Sequence, residues 1–273
     1  MKKERVDVLL VEQGLFETRE KAKRAIMAGQ IYNQNEERLD KPGEKIPTET
    51  SLKIKGETLR YVSRGGLKLE KALEVFEVTV EDKIMLDIGS STGGFTDAAL
   101  QNGAKMSYAL DVGYNQLAWK LRQDPRVEVM ERVNFRHSTP EDFTKGQPTI
   151  ASIDVSFISL RLILPVLKNI LAPGGDVLAL IKPQFEAGRE GVGKKGIVRD
   201  PAVHKQVLED MVHFVIGIGY DVMALDYSPI TGGEGNIEFL MHLKWNQKTT
   251  GTIAYTVNID HTLASAYDTL KSK

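Results

Sequence analysis

The chain has no cysteine, which excludes disulfides and thiolate zinc sites. Its five histidines, His137, His204, His213, His242 and His261, are scattered with no pair at helical ligand spacing, so no metal is expected. A charge bias is also lacking. With 36 Lys/Arg against 37 Asp/Glu the net charge is −1, so any nucleic-acid surface must be a local patch. No stretch approaches the roughly 20 apolar residues needed to span a bilayer. The N-terminus, "MKKERVDVLLVEQGLFETRE", is charged from its second residue and has no small-residue cleavage site, unlike a secretion signal. The expected location is the cytoplasm. What is present is 273 residues, 41% hydrophobic and 27% charged, enough for a large domain with a well-buried core, alone or with a small companion.

Residues 1–60 differ in texture from the rest, with 13 Lys/Arg and 11 Asp/Glu. "RVDVLLVEQG" places Val6, Leu9 and Leu10 on one helical face and ends at Gly14, a C-cap residue. "TREKAKRAIMAG" starts on Thr18 and stops at Gly29, with Ala22, Ala25 and Ile26 inward and Arg19, Lys21, Lys23 and Arg24 outward. "QIYNQN" and "SLKIKG" read as small strands around a turn-rich middle. On charge alone the basic helix is a solvated face.

From residue 82 onward strand-like and helix-like segments alternate. Strands are expected at 83–88, 106–111, 127–130, 149–154, 176–181, 220–227 and 237–243, and helices near 66–76, 94–102, 115–122, 159–171 and 202–217. Asp200-Pro201 opens the last of these helices as an N-cap followed by proline at the first helical position. The alternation predicts an α/β doubly wound sheet, and the two final strands, joined without a helix, make the last one antiparallel. From 246 the chain is a polar tail, with a short helix after Asp260 carrying Leu263, Tyr267 and Leu270 on one face.

In such a sheet ligands bind beyond the carboxyl ends of the strands. "MLDIGSSTGGFTD" (85–97) supplies a loop at the first of them, Gly89-Ser90-Ser91-Thr92-Gly93-Gly94, which is neither the dinucleotide fingerprint nor a P-loop. Asp87, at the strand end, is expected to point into the site, where it repels a phosphate and attracts an ammonium or sulfonium. Asp111 ends the next strand 24 positions later, placed to accept both hydroxyls of a ribose. An adenosine carrying an amino acid satisfies both acids, and S-adenosylmethionine is that ligand.

Three further charges stand in apolar strand contexts: Asp154 in "TIASIDVSF", Lys182 in "VLALIKPQFE" and Glu238 in "NIEFLMHL". Isolated charges are costly to bury, so each must be paired or lie at an edge. The topology brings all three to the rim that carries the glycine loop. Beside a methyl donor, they suggest activation of a poor nucleophile such as a ribose hydroxyl, with the lysine holding the oxygen or taking its proton. A structural salt-bridge network is the alternative.

Residues 1–60, through "RVDVLL", "TREKAKRAI" and "AGQIYNQ", resemble the small RNA-binding fold called the alpha-L domain. The resemblance implies that Arg5, Arg19, Lys23 and Arg24 face RNA. "LDIGSSTGGFTD" resembles the first motif of the FtsJ-like ribose methyltransferases, and "VNFR" resembles their adenine-contacting segment. This implies a Rossmann-like seven-stranded domain over 61–245 that holds S-adenosylmethionine through Asp87, Gly89, Ser90, Ser91, Gly93, Asp111, Asn134 and Phe135. Nearly the whole chain is similar to the TlyA ribosomal RNA methyltransferases, also labelled haemolysins, through "YVSRGGLKLEKAL", "ALDVGYNQLAWKLR", "DVSFISL", "IKPQFE", "GIVRDPAVH" and "GGEGNIEF". That family uses a Lys-Asp-Lys-Glu tetrad, which implies catalytic roles for Lys68, Asp154, Lys182 and Glu238, and an RNA contact for Arg64 in the same motif as Lys68. The implied substrate is a cytidine of ribosomal RNA, in the large subunit or in both. The short segment before "RVDVLL" hints at the large subunit alone. "FEAGREGVGKKGIVRD" reads as a lid over RNA. A pore-forming haemolysin would need membrane-active segments, and a non-enzymatic RNA-binding protein would not need Asp87, Asp111 and the rim charges together.

Overall fold

The computed structural model describes residues 3–27, 29–39, 41–55, 60–232 and 235–270. Ala28 and Gly56, at the ends of an expected helix and strand, and Gly233 and Glu234 of "GGEGNIEF" lie outside the described residues. The chain forms two compact units, residues 1–60 and 61–273.

In the first unit, β1 (Lys3–Arg5) pairs antiparallel with β3 (Lys45–Pro47), and β2 (Ile31–Asn33) with β4 (Leu52–Ile54). Between them lie α1 (Val6–Glu12) and α2 (Arg19–Met27). The chain leaves each helix through a glycine with φ of +70°, Gly14 and Gly29, a conformation that favours glycine. Thr18 caps α2, its Oγ1 accepting the Lys21 amide at 3.3 Å. The apolar stripes Val6–Leu9–Leu10 and Ala22–Ala25–Ile26 meet Ile31 and Leu52 in one small core. Asp7 is fully buried at the first turn of α1, and its carboxylate accepts from Arg5 at 2.9 Å and from Arg19 at 2.9 Å. The Arg5 hydrogen bond, aided by Arg19, holds this carboxyl below its ordinary value against the opposing effect of burial.

The second unit is built on a seven-stranded sheet. In chain order its elements are α3 (Gly66–Val75), β5 (Ile84–Ile88), α4 (Gly94–Gln101), β6 (Met106–Asp111), α5 (Trp119–Arg122), β7 (Val127–Glu131) and β8 (Ile150–Ile153). Then come α6 (Leu164–Leu167), β9 (Gly175–Ile181), α7 (Pro183–Glu186), α8 (Pro201–Gly217), β10 (Tyr220–Tyr227), β11 (Phe239–Trp245) and α9 (Ile259–Leu270). The strand order is β10-β11-β9-β8-β5-β6-β7. β5 to β9 are parallel, and β11 runs antiparallel to both β9 and β10, as expected for the final strand. The chain winds one way from β5 through β6 to β7 and the other way through β8 to β9. The switch point therefore lies at β5, where such sheets bind ligands.

Period-two alternation decides what each side of the sheet receives. Leu86 and Ile88 of β5 join Leu110, Ile153 and Ile181 in one apolar layer with α6, α8 and α9. Met85 joins Ala109, Ile150, Leu180 and Leu240 in the other, against α3 and α4. Asp200 caps α8, accepting the Ala202 amide at 2.8 Å, with Pro201 at the first helical position.

Several boundaries differ from those expected. The helix expected over 159–171 is a 3-10 turn (Leu160–Leu162) followed by α6, because Pro165 has no N–H to continue the ladder. The helix expected at 115–122 shrinks to α5, since Asn115 takes φ of +58° and the Ala118 amide is given to Thr92 O at 3.0 Å. The last strand runs two residues further along the chain than expected. The polar segment from 246 packs into the second unit. Buried Asp221 gathers Asn246, Lys248 and Thr252 at 2.8–3.0 Å, Ile253 bridges Val222 of β10, and α9 lies on α8 and β10.

Asp7→Ala should destabilise the first unit by roughly 1–3 kcal/mol, the cost of losing charge-assisted bonds to a buried group. Hydrogen exchange should show α1 and α2 loosened and the sheet of the second unit unchanged. Unaltered protection in α1 would mean that the two arginines contribute nothing to folding.

Candidate active site

Beyond the tips of β5, β6 and β8 lies a cavity of about 320 Å³. Ile88, Leu110, Val133, Phe135 and Ile163 wall it, Asp111, Gln116 and Asn134 stand on one side, and Asp154 and Ser156 on another. Its floor is the glycine loop. Gly89 has φ of +84°, and a Cβ there would collide with the backbone oxygen of Asp154. Gly93, at φ of +98°, packs against Leu117 and Leu121 with no room for a side chain. Ser91 holds a positive φ of 48° because its amide donates to Asp111 Oδ2 at 2.7 Å. Asp111 Oδ1 accepts the Gly113 amide, also at 2.7 Å. Each carboxylate oxygen has a second lone-pair site, so Asp111 retains capacity for hydroxyl donors. Asn134, which also lines the cavity, accepts the Arg136 amide on its Oδ1 at 3.2 Å.

Of the eight residues expected to hold a cofactor, Gly89, Ser91, Asp111, Asn134 and Phe135 line this cavity, while Asp87, Ser90 and Gly93 do not. Asp87 corrects the expectation that it points at the ligand. Strand alternation turns Ile88 to the cavity side and Asp87 to the opposite layer, where it is fully buried. There it accepts from Thr96 N at 3.0 Å, Thr96 Oγ1 at 2.8 Å and Ser152 Oγ at 3.1 Å, tying the first turn of α4 to β5 and β8. Ser90 and Gly93 shape the turn through the bond from Gly93 N to Ser90 O at 2.7 Å.

The four residues assigned to the tetrad meet at the same rim. Lys182 Nζ lies 2.5 Å from Asp154 Oδ1, and Lys68 Nζ lies 3.4 Å from Asp154 Oδ2 and 2.8 Å from Glu238 Oε2. Lys68, Lys182 and Glu238 are 7%, 8% and 2% exposed, so three charges are buried and none is isolated. Burial would lower Lys68, but Asp154 and Glu238 together outweigh it and hold the ammonium above the ordinary lysine value. Lys68 sits in the first turn of α3, and Gly66 two positions earlier packs flat against the Tyr61 ring.

Sequence reasoning passed over several neighbours. Ser156 Oγ accepts from Lys182 Nζ at 3.1 Å, and Gln184 Nε2 donates to Glu238 Oε1 at 3.4 Å. Phe157, 91% exposed at the cavity edge with φ of +63°, packs on Phe185 at 5.1 Å between ring centroids. A phenylalanine in "DVSFISL" reads as core, and only its spacing of three from Asp154 would have marked it.

The residues expected to face RNA have unequal freedom. Arg5 and Arg19 are committed to Asp7, and Lys23 pairs with Glu20 at 2.8 Å. Arg24 and Arg64 are exposed. Among the described residues no cluster of acids and histidines could hold a metal ion, and no helix is long and apolar enough to cross a membrane.

The mostly parallel seven-stranded sheet and its switch-point cavity are those of a Rossmann-like methyltransferase. The chain belongs to the FtsJ-like methyltransferase family, whose model matches residues 61–245, and its methyl donor is S-adenosylmethionine. It is 68% identical to "Putative rRNA methyltransferase YqxC" of Bacillus subtilis over 273 residues, covering 100% of this chain and 97% of the relative. It is 39% identical over 246 residues to "16S/23S rRNA (cytidine-2'-O)-methyltransferase TlyA" of Mycobacterium tuberculosis, covering 88% and 89%. A solved structure titled "Putative hemolysin from Streptococcus thermophilus" superposes with a TM-score of 0.79 at 60% identity, covering 100% of this chain and 98% of that one.

Burial pushes the Asp87 carboxyl up to about 7, against the hydrogen bonds from Thr96 and Ser152. The folded protein thus holds this proton more tightly than the unfolded chain, whose aspartates titrate near about 4. The contribution of Asp87 to stability is full below that value and is lost as the pH rises toward 7. Asp87→Asn should flatten the decline in denaturant-measured stability over that window. Equal slopes in both proteins would mean that the carboxylate is ionised throughout.

Proposed function

We propose that this protein methylates the ribose 2′-oxygen of a cytidine in ribosomal RNA, in the cytoplasm, with the large subunit or both subunits as substrate. The observation that carries the reading is the buried Lys68-Asp154-Lys182-Glu238 network at the edge of the cofactor cavity. The names of the relatives support the RNA and the position of the methyl group.

The cavity residues fit the donor. Asp111 would accept the ribose hydroxyls, Asn134 and Phe135 would hold the adenine with Leu110 beside them, and Asp154 would offer a carboxylate to the cationic end. When bound, S-adenosylmethionine supplies an electrophilic methyl group on a sulfonium. The Lys182 nitrogen has three bonding directions besides its stem, and Asp154 and Ser156 occupy two of them. The third receives the 2′-hydroxyl. Lys182, the cation of the resting pair with Asp154, acts once it has released a proton to solvent: its lone pair then takes the 2′-hydroxyl proton as the oxygen is methylated, and Asp154 stabilises the ammonium that re-forms. Lys68 keeps its charge and fixes Asp154 from the opposite side, and Glu238 fixes Lys68. Exposed Phe157 offers a stacking face for the base of the target nucleotide. Arg24, Lys23 and Arg64 supply phosphate contacts, with Arg5 and Arg19 adding charge from their fixed positions.

Lys182→Ala should lower methyl transfer by at least about 10³-fold with cofactor and RNA affinity close to normal, because its role belongs to the transition state. Lys182→Arg should fail too, since a guanidinium cannot act as a base. Lys68→Ala and Glu238→Ala should lose less. The product RNA should resist alkaline hydrolysis at one linkage, because 2′-O-methylation removes the attacking oxygen. An unbroken alkaline ladder with label on the base would exclude this chemistry. Charge reversal at Arg24 should weaken RNA binding and lower the slope of log affinity against log salt by about 1 while sparing cofactor affinity. An unchanged slope would remove Arg24 from the RNA contact surface.

A further inference from the structure

Two loops meet behind the tetrad, and one buried side chain joins them. The glycine-rich loop 188–199 exposes Arg189, Lys195 and Arg199 and buries Val198. The buried Asn236 amide spans it: Oδ1 accepts the Val198 amide at 3.0 Å, and Nδ2 donates to Gly196 O at 3.0 Å. The backbone of Asn236 belongs to the segment that leads into β11, and its carbonyl accepts the Gly232 amide at 2.8 Å. Gly232 in turn lies directly on the Glu238 carboxylate, so closely that a Cβ there would collide with Oε1. The segment is closed at its base by the bond from Ser228 N to Glu238 O at 2.8 Å.

We propose that Asn236 is a positioning residue that couples the basic loop 188–199 to Glu238, so that engagement of RNA phosphates by the loop sets the catalytic carboxylate. The inference rests on the proposed role of Glu238. Its physical basis is the lack of slack. Among the described residues, Ser228 N bonds Glu238 O at the base, Gly232 N bonds Asn236 O further in, and Gly232 lies directly on the carboxylate. A shift of Gly196 and Val198 must therefore either break two hydrogen bonds to a buried amide or carry Asn236 with it. Carrying Asn236 moves Gly232, and Gly232 cannot move without changing where Glu238 rests against Lys68 and Gln184. A loop that closes on RNA and a carboxylate that orders the tetrad thereby share one equilibrium, and coupling of this kind is reciprocal.

The test uses the full-length protein with two readouts: methyl transfer to ribosomal subunits, and hydrogen exchange of the loop amides. Asn236→Ala should lower kcat by roughly 10–100-fold, raise the KM for RNA by less than about threefold, and leave cofactor affinity within about twofold. Gly232→Ala, which displaces Glu238 without touching either loop bond, should give a similar loss in kcat. By reciprocity, Glu238→Ala should speed exchange at Val198 by at least about tenfold, although it lies outside the loop. Retained kcat in Asn236→Ala with a loosened loop would reduce Asn236 to a loop anchor. Unchanged Val198 exchange in Glu238→Ala would overturn the coupling outright. If Asn236→Ala does not fold, Gly232→Ala and Glu238→Ala decide the matter between them. Failure of the wild-type protein to methylate any ribosomal RNA would count against the proposed reaction, while the exchange measurement would still decide the coupling.

Discussion

Asp154 is shared by two lysines, one on each oxygen, and the architecture of the second unit follows from that requirement. Moving a charge out of water costs several kcal/mol even after relaxation, and removing one partner of a buried pair costs about 3–5 kcal/mol. Two cations and two anions at one rim cancel, but only when all four arrive together. They come from distant parts of the chain: α3 delivers Lys68, the residues just after β8 and β9 are Asp154 and Lys182, and Glu238 stands just before β11, which enters from the opposite direction. The antiparallel sense of β11 is what brings its start, and so Glu238, rather than its end to this edge.

The same geometry separates two aspartates that look alike as strand-end acids. Asp111 ends its strand facing the cavity and keeps lone pairs for a ligand, while Asp87 is turned through the sheet by one residue of register. Asp87 therefore acts on the cofactor loop from behind, holding the start of α4 through Thr96. Gly89 completes the floor of the cavity, because the backbone of Asp154 leaves no room for a side chain there. Cofactor cavity and tetrad are thus joined through a single residue, whose main chain supports the glycine loop and whose carboxylate organises the lysines.

In the first unit the order of priorities is similar. A 60-residue fold whose described residues include nine buried apolar side chains in the core has little stability in reserve. Its buried Asp7 is neutralised by Arg5 and Arg19, while Arg24 of α2 stays exposed.

Much of this was legible in the sequence because it depends on local physics. Period-two and helical patterns placed all seven strands of the large sheet and the caps at Thr18 and Asp200, since side-chain alternation and capping need only neighbours along the chain. Apolar strands ending in Asp154 and Lys182 announced a shared rim, because such charges cannot be left unpaired. Other features had no local signal. Lys68 on a helix reads as a solvated side chain until β11 and β8 supply its carboxylates, and Phe157 reads as core until its loop turns it outward. The side of the sheet that Asp87 faces depends on where the cavity opens, and the tie from Asn236 to Gly196 and Val198 joins residues about 40 positions apart. The sequence by itself determined which residues are charged, apolar or free to take positive φ, because these are properties of each residue and its neighbours. Only the tertiary structure decided which charges neutralise one another, because electrostatic pairing depends on distance in space and burial, which the packing of remote segments alone sets.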